Sequence, residues 1–190
     1  MIRHGLTPGN MAGRYLGRTD EDIIERALLG GLAGRFPPAD AVYSSPLRRC
    51  VSTARMIYPG RAPVIVRELA ECCFGDFEGK TADELSDNAF FKEWLETGTL
   101  EAFPNGERMA DFLERCWRAF VCIVREAADK GFEHISIVSH GGVIGAVTHR
   151  LLRGENGIYL RVVANLDGVA FAYDPESRVL TGFRLLSAGA

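Results

Sequence analysis

Two histidines in this 190-residue chain stand where an imidazole can do chemistry. Arg3-His4-Gly5 follows the apolar Ile2, and Ser139-His140-Gly141-Gly142 follows a β-branched run and precedes an apolar helical pattern. In open α/β sheets, ligands bind beyond the carboxyl ends of the strands, where both histidines would sit. The glycines let backbone approach a ligand closely, and a helix that starts behind Gly142 favours an anion at its N-terminus. A lone histidine is more often a satisfied structural one, and the strand-His-Gly-Gly-helix context makes the two readings of His140 equal. Arg48 and Arg49 open a second helix after Ser45-Pro46-Leu47. A cation in the first helical turn is disfavoured by the dipole, so Arg49 needs another reason to be there, such as a bound anion. Arg48 reads as a solvated helix face. A carboxylate beside such a cationic pocket could act as a general acid, and Glu71, Glu78 and Glu107 are all candidates at this level.

These residues need elements to carry them. Ala41-Val42-Tyr43-Ser44 reads as a short strand and 47–58 as the helix behind it. Val64-Ile65-Val66 is β-branched and reads as a buried strand. The longest helical signal spans 106–130, with Met109, Phe112, Leu113, Cys116, Trp117, Phe120, Ile123, Val124 and Ala127 at three- and four-residue steps and Gly131 as its cap. A strand over 134–139 and an apolar helical stripe from Val143 to Leu152, closed by Gly154, follow. Val169 to Tyr173 and Val179 to Leu186 read as a hairpin around Asp174-Pro175-Glu176-Ser177. Ile23 to Gly34 has helical spacing, weakened by Gly30, Gly31 and Gly34. The alternation of strand and helix predicts one α/β domain over residues 1–190.

Composition narrows the function. Hydrophobic residues make up 47% and charged residues 25%, with a formal charge of −3. No basic field is available for nucleic acid or an anionic membrane, so neither is expected as a partner. No apolar run reaches the ~18–20 residues of a membrane span, and the first residues do not read as a signal peptide. The five cysteines are an odd number in a chain of this size and do not suggest a disulfide framework. Cys116 and Cys122, in an apolar helical stretch, read as buried thiols; Cys72-Cys73 lacks the spacing of a zinc site. The cytoplasm is the expected compartment.

Together the motifs resemble the histidine phosphatase superfamily, in its phosphoglycerate-mutase-like branch. Arg3-His4-Gly5 with Thr7 and Asn10 is similar to RHGxTxxN, and Gly13-Arg14, Gly17 and Asp20 to GRxxGxxD. Ser45 to Arg49 with Thr53-Ala54 resembles SPLxRAxxTA, which makes Arg49 the pocket arginine. Glu71 with Phe74-Gly75-Asp76-Phe77-Glu78-Gly79 and Thr81 resembles LxExxFGxWEGxT. Asn105-Gly106-Glu107 with Phe112 and Arg115 resembles the GES segment, and Val138 to Gly142 the second histidine motif.

The resemblance implies a three-layer α/β/α sandwich around a mostly parallel sheet. It implies a metal-independent phosphatase, without cofactor, acting on a small phosphorylated metabolite. His4 would become phosphohistidine, with Arg3, Arg49 and His140 on the phosphoryl oxygens and Glu71 as acid and then base. Thr7, Asn10, Gly141 and Gly142 would line the substrate. Glu107 is expected at the pocket rim or in a structural role. The stretch from Arg14 to Asp20 looks like the α-ribazole phosphatase branch, which implies α-ribazole 5′-phosphate. The open alternatives are a phosphoglycerate mutase, a broad sugar phosphatase and a non-catalytic phospho-ligand binder. Phe90, Phe91 and Trp94 form either a pocket wall or an amphipathic helix packed on the core. The strand from Val179 to Leu186 could be an edge that pairs in a homodimer. Three features depart from the family pattern: only two residues precede Arg3, Leu6 stands where Glu or Gln is frequent, and Ile23 to Gly34 poorly matches PLTxxGxxQA.

Overall fold

The structure, a computed structural model, describes residues 1–24, 32–97, 101–152, 163–177 and 179–187. Its sheet contains β1 (Ile2–Arg3), β2 (Ala41–Ser44), β3 (Val64–Ile65), β4 (Ile135–Ser139), β5 (Gly168–Asp174) and β6 (Val179–Leu186). The helices of the described residues are α1 (Pro8–Met11), α2 (Arg48–Ile57), α3 (Ala89–Thr97), α4 (Met109–Asp129) and α5 (Gly141–Leu151). The strand order is β3-β2-β4-β1-β5-β6. β1 to β4 run parallel, whereas β5 is antiparallel to β1 and β6 to β5. Arg3 lies opposite Ser139, and Ser44 opposite Val138. The chain therefore leaves three neighbouring strands at one end of the sheet, just before His4, Ser45 and His140.

Strand alternation sorts side chains onto two faces. Ile2, Val42 and Val138 share one core with Cys50, Ala54 and Ile57 of α2. Tyr43 and Ile137 point the other way, into a core with Phe112, Cys116 and Phe120 of α4 and Val143 and Val147 of α5. This is the expected α/β/α sandwich. In α4 the buried positions Phe112, Cys116, Ala119, Phe120, Ile123 and Ala127 follow the helical period. Gly131, at φ 70°, ends the helix in the left-handed conformation that a residue with a side chain resists. Asp174 closes the β5–β6 hairpin by accepting from the Glu176 amide at 2.9 Å.

Three expectations need correction or resolution. Val64 and Ile65 are not buried: each is 47% exposed, because β3 is the edge of the sheet and, among the described strands, pairs with β2 alone. Cys122 is exposed while Cys116 is buried, since position 122 falls off the stripe of α4 that faces the core. Phe91 and Trp94 join Tyr15, Phe77 and Phe103 in an aromatic cluster, and Phe90 is exposed. Helix α3 is thus the amphipathic helix packed on the core. Residues 25–31, with Gly30 and Gly31, and Gly154 lie outside the described residues; Gly34 is described and sits in a turn at φ 86°. Among those described, no helix is long and apolar enough to cross a membrane.

Candidate active site

The parallel register of β1 and β4 brings the two imidazoles together. Their ring centroids are 5.1 Å apart, with the planes at 64°. Both side chains are buried. The Nδ1 of His4 lies 2.7 Å from the Gly5 carbonyl oxygen. A carbonyl only accepts, so Nδ1 carries the proton and Nε2 the lone pair. Burial, then the neighbouring Arg49 and Arg3, lower the His4 pKa to about 3, against the pull of the Gly5 hydrogen bond. Burial, then the proximity of His4, Arg49 and Arg3, likewise hold His140 well below its usual value. Its Nε2 is 2.7 Å from Ser45 Oγ, at the end of β2.

Arg49 is fully buried. Its Nη1 donates to the Thr19 carbonyl at 2.7 Å and its Nη2 to that of Gly17 at 2.9 Å. Arg3 donates through Nη1 to the Val163 carbonyl at 2.7 Å. In both guanidiniums the buried Nε–H has no hydrogen-bond partner among the described residues. Buried donors are rarely left so, and a pair of them suits an oxyanion. Arg48, by contrast, is exposed; its backbone amide donates to Asp20 at 2.7 Å and its side chain pairs with Asp22 at 3.4 Å.

Glu71 sits in the irregular stretch between two 3₁₀ turns, at 67–69 and 75–77. Its carboxyl is buried; Oε1 accepts from the Cys72 amide and Oε2 from the Gly142 amide, each at 3.0 Å. Burial raises its pKa, opposed by these two amides and by Arg49 and Arg3. A pair of neutral imidazoles, two arginines and one carboxyl with a raised pKa thus converge at the carboxyl end of the sheet.

The model of the histidine phosphatase superfamily (branch 1) matches residues 1–184. The chain belongs to this superfamily. It is 34% identical over 163 residues to the adenosylcobalamin/α-ribazole phosphatase of Salmonella typhimurium, covering 80% of this chain and 78% of that protein. It is 30% identical over 167 residues to the metal-independent phosphoserine phosphatase of Arabidopsis thaliana, covering 82% and 69%. Among solved structures, the α-ribazole phosphatase from Shigella flexneri superposes with a TM-score of 0.81 at 26% identity, over 98% of this chain and 95% of that one. The protein is therefore a phosphatase of the histidine phosphatase superfamily.

The other substrate-lining residues expected in this phosphatase have mixed surroundings. Thr7 is buried and its Oγ1 caps α1 by accepting from the Asn10 amide at 3.2 Å. Asn10 Oδ1 accepts from Asn165 Nδ2 at 3.1 Å, which leaves the Asn10 amide nitrogen as a donor. Gly142 gives its N–H to Glu71, and Gly141 opens α5. Of the supporting residues, Asn165 had no signal that marked it in advance, whereas Thr53 and Glu78 stood in the motifs, Glu78 as a candidate acid. Asn165 also donates to the His4 carbonyl at 3.0 Å. Thr53 Oγ1 accepts from the Gly5 amide at 2.8 Å and donates to the Arg49 carbonyl at 2.6 Å, tying the His4 loop to α2. Glu78 is a support for Arg49: Oε1 accepts from the Gly17 and Thr19 amides at 2.8 and 2.7 Å, fixing the loop whose carbonyls hold the guanidinium. A Cβ on Gly17 would come 2.0 Å from the Cys72 carbonyl oxygen, so this loop needs glycine to pack on the Glu71 segment.

Proposed function

We propose that the protein is a metal-independent phosphomonoesterase that works through a phosphohistidine on His4. The observation that carries this reading is the pair of buried Nε–H donors on Arg3 and Arg49, without a partner among the described residues, beside a neutral imidazole of defined tautomer. In the first step the Nε2 lone pair of His4 attacks phosphorus. The P–O bond to the alcohol breaks, and the leaving oxygen takes the proton of Glu71. The Nδ1–H bond to Gly5 holds the ring in line and shares the positive charge that develops on it. In the second step water attacks phosphorus and gives a proton to the Glu71 carboxylate. The P–N bond breaks, His4 regains its lone pair, and inorganic phosphate leaves. The positive charge that phosphoryl transfer requires comes from Arg3 and Arg49, with His140 as a further oxygen ligand.

The substrate we propose is a small phosphorylated metabolite, with α-ribazole 5′-phosphate first. The kinship with the Salmonella protein and the stretch from Arg14 to Asp20 support it. A second reading has its own observation. Arg18, between the two residues whose carbonyls hold Arg49, is half-exposed and 3.8 Å from Glu107. Such a cation suits a substrate with a carboxylate, such as phosphoserine or 3-phosphoglycerate.

The test is phosphate release from α-ribazole 5′-phosphate, phosphoserine, 3-phosphoglycerate, a fructose bisphosphate and an aryl phosphate, with His4→Ala in parallel. The expected result is turnover by the parent, strongest on α-ribazole 5′-phosphate, and loss of both turnover and acid-labile phosphoenzyme in His4→Ala. Full hydrolysis by His4→Ala would sink the nucleophile assignment, and a preference for phosphoserine would move the substrate to the second reading.

A further inference from the structure

We infer that Arg115 is a positioning residue for the general acid: from α4 it clamps the backbone on which Glu71 is carried and so sets the angle of its carboxyl to the leaving oxygen. This rests on the acid role proposed for Glu71. Arg115 Nη1 donates to the carbonyls of Glu68 and Ala70, each at 2.7 Å, and Nη2 to that of Glu71 at 3.0 Å. On its other edge Nε and Nη2 form a two-bond fork with Glu107, at 2.5 and 2.8 Å. A guanidinium has five N–H donors, and this one uses all five. Glu107 extends the clamp past the acid, because its Oε2 also accepts from the Cys73 amide at 3.2 Å. The backbone is therefore gripped before, at and after Glu71. The Phe112 ring, 4.8 Å below the guanidinium carbon, fixes the plane of the clamp.

The segment needs such a clamp. Residues 70–74 lie in neither helix nor strand, so no ladder of backbone bonds sets their course. The Glu71 carboxyl itself is held only by two backbone amides among the hydrogen bonds of the described residues. Lysine at position 115 would keep the charge but lose the planar fork, and could not reach the carbonyls and Glu107 at once.

The experiment uses leaving-group dependence. kcat/KM is measured for a series of substituted phenyl phosphates, from p-nitrophenyl to phenyl, with the parent, Arg115→Lys, Glu107→Gln and Glu71→Gln. A nitrophenolate leaves with little help, whereas phenolate needs the proton. In Glu71→Gln, phenyl phosphate should lose at least about tenfold more than p-nitrophenyl phosphate, within the ~10²–10⁴-fold reach of general acid catalysis. Arg115→Lys should reproduce this steeper dependence, and Glu107→Gln should do so more weakly. A loss of folding or of phosphate binding would lower the whole series together. If Glu71→Gln steepens the dependence and both clamp variants, folded, keep the parental slope, the inference is overturned. If Glu71→Gln keeps the parental slope, the acid assignment fails instead, and the clamp loses its purpose with it.

Discussion

The amide of Gly142 donates to Glu71 Oε2 at 3.0 Å, and a Cβ on that glycine would come 2.4 Å from Oε1. Glycine here leaves room for the carboxyl, which rests against the first turn of α5. Gly142→Ala should push the carboxyl out of line and lower kcat by about 10²-fold, the scale of an ångström-sized misplacement. Gly145, in the same helix, has nothing within 4 Å of its would-be Cβ. Gly145→Ala should leave kcat unchanged and raise stability by about 0.5–1 kcal/mol in urea unfolding. Equal effects of the two substitutions on kcat would argue against a working role for the Gly142–Glu71 contact.

Arg48 and Arg49 are adjacent in sequence and opposite in environment. Arg49→Ala removes a buried guanidinium bonded to the loop at 16–19, and should cost at least about 10²-fold in kcat/KM. Arg48→Ala removes an exposed ion pair and should change kcat/KM by less than about threefold. Steady-state kinetics on one substrate decides the matter.

Glu78 acts on Arg49 at one remove. Glu78→Ala leaves the amides of Gly17 and Thr19 without their acceptor and loosens the carbonyls that hold the guanidinium. The expected outcome is weaker binding of phosphate-like inhibitors, read as a higher inhibition constant for vanadate. The leaving-group dependence should stay as in the parent, because Glu71 is untouched. A change in that dependence would mean that Glu78 serves the acid as well.

The pH behaviour follows from opposite shifts. His4 falls from 6.5 to about 3 on folding, so between those values the unfolded chain binds more protons. Its contribution to stability is fully present above about pH 6.5 and is lost as pH falls toward 3. His140 works in the same direction. Glu71 is raised, so its burial favours the folded state at low pH and disfavours it as pH rises through the raised value. Urea midpoints should drop between pH 7 and pH 5, and the drop should shrink in His4→Asn. In kinetics, kcat/KM should show no acid limb near pH 6.5 from His4 and should decline on the alkaline side as Glu71 loses its proton. An acid limb of kcat/KM near pH 6.5, over a range in which the protein stays folded, would contradict the lowered pKa of His4.

Much of the site was legible because its main groups follow strands in short motifs. Arg3-His4-Gly5 and Ser139-His140-Gly141-Gly142 announce themselves by local context, and Arg49 by its place in the first turn of α2. The contacts of the supports were not legible, even where the residues, such as Ser45 and Arg115, stood in a motif. Ser45 meets His140 across 95 positions, and Asn165 meets His4 across 161. Arg115 reaches back 44 to 47 positions to backbone carbonyls that bear no side-chain signature. Burial failed where neighbours decide it: Val64 and Ile65 have the composition of a core strand but occupy an edge.

The register of Arg3 with Ser139 divides the site into two halves of different origin. The two imidazoles are adjacent because two central strands are hydrogen-bonded in that register, so the separation of the histidines is as stiff as the sheet. The carboxyl is carried on a loop outside the ladder of the sheet, fastened by side chains. On the proposed mechanism, the histidines' grip on the phosphoryl group is inherited with the fold, whereas the choice of what is cleaved from it can drift. Two proteins of this architecture can share one half to within the precision of a β-ladder and still act on unrelated esters.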